Sequence, residues 1–119
     1  ENFLENWISV WKSKDVDLYM NCYSKKFISD DMNWDQWYKH KNTLNQQYKS
    51  IDISIDNLNC FYGDGQYIVH FNQIYHSNTY SDIGTKRLYL NKEDNNWKII
   101  GEYWEPATSL LSNVNRGKN

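Results

Sequence analysis

Val69-His70-Phe71-Asn72-Gln73-Ile74-Tyr75-His76-Ser77 is the stretch on which the reading of this chain turns. Successive side chains of a strand point to opposite faces. One face therefore carries Val69, Phe71, Gln73 and Tyr75, and the other His70, Asn72, Ile74 and His76. The first is a core face interrupted by an amide and a phenol, and both need partners if they are buried. An apolar face with a few polar groups is what lines a ligand pocket.

Working outward, Gly63-Asp64-Gly65 reads as a hairpin turn leading into this strand, over about 66 to 77. Before the turn, Ile51, Ile53 and Ile55 alternate with Asp52, Ser54 and Asp56, which predicts a half-buried strand. After it, residues 77–84 read as a polar link with strand character and a bulge expected at Gly84. Thr85 to Asn91 reads as a strand with Lys86, Leu88 and Leu90 in one phase, and Trp97 to Trp104 as the last strand, ended by Pro106.

The first half has helical spacing instead. Leu4, Trp7, Ile8 and Trp11 make one buried face of a helix over 2–12. Asp15 is placed to cap a second, short helix over 16–23, striped by Val16, Tyr19, Met20 and Tyr23. Ser29-Asp30-Asp31 reads as a loop. Asn33 with Gln36 forms a variant capping box opening a helix over about 34–48. Along that helix lie Trp34, Trp37, Tyr38, Lys41, Leu44 and Tyr48. Lys41 interrupts the stripe, as a lysine snorkelling at the edge or as a cation at a pocket rim. Three helices followed by hairpin-linked strands predict an α+β domain with helices on one face of an antiparallel sheet.

Composition narrows the class. With 119 residues the chain is expected to form one domain over 1–106, with 107–119 a flexible C-terminal tail. Six Trp and ten Tyr predict an aromatic core, which suits a core bordering a cleft because both side chains keep a polar handle. The net charge of −2 and the lack of a basic stripe argue against nucleic acid as a partner. No apolar run reaches the roughly 20 residues of a membrane helix. Cys22 and Cys60 match no metal or redox spacing and are read as buried free thiols, with a disulfide as the alternative. A chain opening at Glu1 on a helical pattern is expected to be a piece of a longer protein.

Phase also sorts the titratable groups. Asp52 and Asp56 oppose the isoleucines, and His70 and His76 oppose Phe71 and Tyr75, so all four are expected to face away from the core. His40 falls on the polar side of its helix. In phase with the core are Gln73, Tyr75 and Lys86, joined by Glu102 if a bulge at Gly101 shifts its strand. A Lys86–Glu102 pair is expected, either as a structural ion pair or as a polar floor for a charged ligand. As an acid–base pair it is poorly suited, since each partner holds the other ionised. Tyr80 and Asp82 are placed at the mouth. Phe27, Trp34, Trp37, Tyr19 and Tyr23 would form an apolar wall.

A resemblance joins here. The opening Trp7-Ile8-Ser9-Val10-Trp11-Lys12-Ser13-Lys14-Asp15, residues Tyr19 through Phe27 and Trp34 through Lys41, and strands ending in Trp97-Lys98-Ile99-Ile100 resemble the NTF2-like (SnoaL-like, cystatin-like) superfamily. More narrowly, the run from Val69 to Leu90 with Phe71, Gln73, Tyr75, Ser77, Tyr80, Asp82, Gly84, Lys86 and Leu88, followed by Trp97, Lys98, Ile99 and Glu102, is similar to another group. That group is the NTF2-like domain C-terminal to the catalytic domain of bacterial L,D-transpeptidase-like, cell-shape-determining enzymes. The resemblance covers about residues 2–105.

The resemblance implies a cone: a strongly curved sheet wrapped around three N-terminal helices, with a pocket at the wide end, and frequent homodimers. It implies a bacterial periplasmic or cell-envelope setting, with the cytoplasm as alternative. The partners implied are a peptidoglycan fragment or other small ligand and a neighbouring catalytic domain. The Ser-His-Gly-Cys run of the transpeptidases is absent, so this chain is not itself the transpeptidase. The resulting expectation is a non-catalytic ligand-binding or scaffolding domain without cofactor, metal or catalytic residue. Its expected pocket is Tyr19, Tyr23, Trp34, Trp37, Phe71, Gln73, Tyr75, Tyr80, Lys86 and Glu102. The alternative is a small SnoaL-like or ketosteroid-isomerase-like enzyme acting on a hydrophobic molecule. A dimerisation module using Ile74, Arg87 and Tyr89 is a third reading.

Overall fold

The computed structural model describes residues 2–107; the side chain of Asn2 and all but Ala107 of the expected tail lie outside the described residues. Helix α1 spans Asn2–Ser13 and buries Leu4, Trp7 and Trp11, the spacing of one helical face. Helix α2, Val16–Met20, is capped by Asp15, whose Oδ1 accepts from the Leu18 amide at 3.2 Å. It stops three residues short of the expected end. The chain beyond it turns onto the sheet: the Ser24 amide donates to the Ile99 carbonyl, and the Ile99 amide to the Cys22 carbonyl, both at 2.8 Å.

The expected loop at Ser29–Asp31 is instead a small hairpin of β1, Ile28–Ser29, and β2, Met32–Asn33. Asp30 and Asp31 both adopt positive φ, 52° and 63°, the turn that suits a two-residue hairpin, and aspartate tolerates this better than most residues. Helix α3, Trp34–Gln47, opens with the expected capping box. The Gln36 amide donates to Asn33 Oδ1 at 2.9 Å, and the Asn33 amide to Gln36 Oε1 at 2.8 Å.

Four long strands follow: β3, Ile51–Gly63; β4, Gln66–Ser77; β5, Ser81–Glu93; and β6, Asn96–Pro106. They form one curved antiparallel sheet in sequence order. Its inward face buries Ile51, Ile53, Val69, Phe71, Gln73, Tyr75, Lys86, Leu88 and Leu90, and these meet the helical aromatics in one core. Asp52 and His76 are exposed, as alternation requires, and Asp52 pairs with Lys12 at 3.3 Å. Cys60 corrects the expectation of two buried thiols: both cysteines are free, but only Cys22 is buried.

The bulges fall elsewhere than at Gly84, where β4 and β5 keep register. One lies between Asp56 and Asn59 on β3. The other makes Tyr89 pair with Gly101 but Leu90 with Ile99, leaving Ile100 as the extra residue of β6. That single insertion inverts the phase of the strand. Ile99 points into the core before it, and Glu102 points inward after it.

Gly84 serves a different purpose. A Cβ there would lie 2.4 Å from the Glu105 carbonyl oxygen and 2.8 Å from the Trp104 ring, so only a glycine lets β6 and the indole pass so close. Gly84→Ala is expected to destabilise the domain by about 1–3 kcal/mol, because strand and ring must both shift. Urea denaturation checks this; an unchanged midpoint would mean the approach is slack.

Candidate functional site

The sheet and α3 enclose a cavity of about 380 Å³. Trp11 of α1, Trp37 and Leu44 of α3, Tyr48, Tyr75 of β4 and Trp104 of β6 give it aromatic and aliphatic walls. Gln73, Lys86 and Glu102 make its floor, and each is almost fully buried, with 3%, 5% and 3% exposure. Lys41 and His40 approach from α3, Asp30 and Met32 from the small hairpin, and Tyr80 and Asp82 stand at the start of β5.

Glu102 is the hub of the floor. Its Oε2 accepts from Lys86 Nζ at 2.6 Å, and its Oε1 accepts from the Tyr23 hydroxyl. Tyr23 has spent its only proton there, so Tyr19, 2.6 Å away, donates to Tyr23, and the Trp7 indole donates to the same oxygen at 3.2 Å. The small hairpin locks β6 at this point, because the Ser29 hydroxyl donates to the Glu102 carbonyl. Burial pushes the Glu102 carboxyl up, but Lys86, Lys41 and the two hydrogen bonds outweigh it, and its pKa ends below the ordinary value. Burial, and then the Glu102 charge, raise Tyr19 and Tyr23 far above theirs, so both stay protonated.

Two cations face this one carboxylate. Lys86 lies 4.9 Å from the Trp11 ring centre and 5.6 Å from those of Trp7 and Trp104. Lys41 lies 5.0 Å from Trp11 and Trp37 and 5.9 Å from Tyr19. Unlike Lys86, Lys41 makes no ion pair or hydrogen bond among the described residues. Burial and the neighbouring Lys86 charge bring it down to about 8, against the pull of Glu102 and Asp82. Two acceptors are also unmatched, since Gln73 Oε1 and Asp82 Oδ1 are buried without a hydrogen-bond partner among the described residues.

Of the ten residues expected in the pocket, Trp37, Gln73, Tyr75, Tyr80, Lys86 and Glu102 line the cavity. The other four sit elsewhere. Tyr19 and Tyr23 lie behind Glu102 as its hydrogen-bond chain, and Phe71 is fully buried against Trp7 at 6.1 Å between ring centres. Trp34 stacks on Tyr38 at 5.6 Å, and Lys25 Nζ lies over its ring, 3.5 Å from the centre. His40 is exposed, on the polar side of α3 as expected, and also borders the cavity, where partial burial and Lys41 lower its pKa. Trp11, Tyr48 and Trp104 are outside the expected pocket set, and they come from α1, the end of α3 and β6, which only folding brings together. Among the described residues no cluster of His, Cys, Asp or Glu could hold a metal ion, and no helix is long and apolar enough to cross a membrane.

Helices laid against a curved four-stranded antiparallel sheet, with a pocket between them, define an NTF2-like α+β domain. Residues 1–103 match the model of the Cds6 C-terminal NTF2-like domain, and the chain belongs to that family. It is 30% identical to Bd1075 of Bdellovibrio bacteriovorus, with a TM-score of 0.84 over 88% of this chain. The chain spans 38% of that protein's length. The helical cell shape determining protein Pgp2 from Campylobacter jejuni is 21% identical, with a TM-score of 0.76 over 85% of this chain and 38% of its own. An NTF2-like protein of unknown function from Pseudomonas putida shares the fold at 10% identity, with a TM-score of 0.77 over 87% of this chain and 81% of its own. No curated protein matches the chain.

Proposed function

We propose that this is a non-catalytic ligand-binding domain, an accessory part of a bacterial cell-envelope protein, whose cavity engages a fragment of peptidoglycan and so positions a neighbouring catalytic domain. The observation that carries the binding role is the unmatched Gln73 Oε1, an acceptor buried at the floor of an aromatic cavity. Family membership supports the envelope setting, as does the likeness to a protein described as determining cell shape. The short span of the chain relative to Bd1075 and Pgp2 supports an accessory role. The chemistry of the floor favours binding over catalysis. A carboxylate acting as general base needs a raised pKa, and Glu102 is lowered and held by two donors.

The test is an NMR titration of the domain with muropeptides, beside a panel of hydrophobic carbonyl compounds. Muropeptides are expected to shift resonances of Gln73, Tyr75 and Lys86. Binding of the carbonyl compounds alone would favour the isomerase-like alternative, for which His40 and Lys41, both bordering the cavity with lowered pKa values, are the candidate bases. If neither class perturbs the cavity, the binding role is withdrawn. Dimerisation through the outer sheet face, where Arg87 lies against Tyr89 and Tyr103, would then be measured by light scattering.

A further inference from the structure

We propose that the ligand of this cavity is a small carboxylate that also carries an N–H or O–H group, its carboxylate seated on Lys41 and its donor directed at Gln73. The inference rests on the ligand-binding reading and specifies the chemistry of the occupant. Its first ground is the partnering of the floor. Both oxygens of Glu102 are engaged, one by Lys86 and one by Tyr23, so Lys41 is the cation left over. An ammonium has three donors, and ring faces at 5.0 Å attract its charge without accepting its hydrogens in the manner of an oxygen. Lys41 is only partly buried, and its ammonium, held among ring faces without a counter-ion, gains from a ligand that supplies one.

The second ground is independent of Lys41. Gln73 exposes 3% of its surface, and its Oε1 has no donor among the described residues. A carboxylate alone would leave that oxygen unmatched, whereas an amide N–H or a hydroxyl on the same molecule would satisfy it. Asp82 Oδ1, also unmatched and nearer the start of β5, offers a place for a second donor. The acidic neighbours set the charge of the occupant. Glu102 and Asp82 line the same cavity, so a dianion such as phosphate would meet like charge on two sides. A monoanion balances the single spare cation.

Two kinds of molecule share this chemistry, a peptide with a free C-terminus and a sugar acid, and paired probes separate them. Near neutral pH the domain would be titrated with N-acetyl-alanyl-alanine against its C-terminal amide, with N-acetylmuramic acid against N-acetylglucosamine, and with inorganic phosphate. At least one acid is expected to bind about tenfold or more tighter than its neutral partner, the worth of one charged hydrogen bond. It should also shift the Gln73 side-chain amide. Lys41→Met should erase the preference, and Lys41→Arg should keep part of it. Equal binding of acids and neutral partners overturns the inference while leaving the binding role in place. So does phosphate binding more tightly than either acid, or the absence of any response to the acids; the muropeptide titration judges the binding role separately.

Discussion

Glu102→Gln is expected to lower the stability of the domain by about 3–5 kcal/mol, a large part of the roughly 5–15 kcal/mol that holds a domain of this size folded. The substitution is nearly isosteric, and its amide oxygen still accepts from Tyr23, so packing and the tyrosine chain stay largely intact. What disappears is the charge. Lys86, 5% exposed and 2.6 Å from the lost carboxylate oxygen, is then a buried ammonium with no counter-ion, and it faces Lys41 as well. Chemical denaturation of the single variant and of Lys86→Met/Glu102→Gln tests the cause. Removing both charges should recover most of the loss, because a buried pair contributes little against apolar groups of similar size. If the double variant is as unstable as the single, the loss comes from packing and not from charge.

Glu102 also predicts the acid side of the stability profile. Its pKa in the fold lies below the ordinary 4.5. In the pH range between the two values the unfolded chain binds the proton more readily, so stability falls as pH drops from about 4.5 through the folded value. Above 4.5 this contribution is present in full. The Glu102→Gln variant should lack this part of the acid transition.

Much of this was legible in the chain, for reasons that differ by element. The helix starts were readable because capping is local: Asp15 and Asn33 meet partners three residues away, Leu18 and Gln36. The strand β4 was readable because its period of two is strict, and Gln73 keeps its place among Val69, Phe71 and Tyr75. Glu102 was harder, since its direction depends on the extra residue Ile100, and an insertion is visible only against the partner strand. Gly84 was misassigned for the same reason. A glycine in a strand signals either a bulge or a close approach, and here the approach is by Trp104, twenty residues on. The pocket walls were least legible. Tyr19, Tyr23 and Phe71 have the same apolar character as Trp11 and Trp104, and only the fold decides which rings pack solid and which face a cavity.

Lys41→Met is expected to do two opposite things: stabilise the empty domain and abolish its preference for carboxylates. Burial and the charge of Lys86 disfavour the Lys41 ammonium, so its pKa falls from 10.5 to about 8. Below about 8 the folded state carries this cost in full. Between about 8 and 10.5 the folded chain has released a proton that the unfolded chain still binds, so stability rises with pH across that interval. The shift corresponds to about 1–3 kcal/mol, the lower end allowing for the half-buried stem. Methionine fills the same channel between Trp11 and Trp37 without a charge. The melting temperature near neutral pH should therefore rise by roughly 5 °C or more, and the gain over wild type should vanish as pH approaches 10.5. Carboxylate binding runs the other way. It needs the ammonium, so wild-type affinity should fall by about tenfold per pH unit above about 8. Lys86, Glu102, Asp82 and His40 face the same group, and the Lys41→Met profile isolates its share from theirs. A variant that is both more stable and unable to tell an acid from its amide identifies Lys41 as a residue kept for binding at the expense of the fold. If the variant is less stable, Lys41 is a packing element, and its aromatic contacts rather than its charge account for its position.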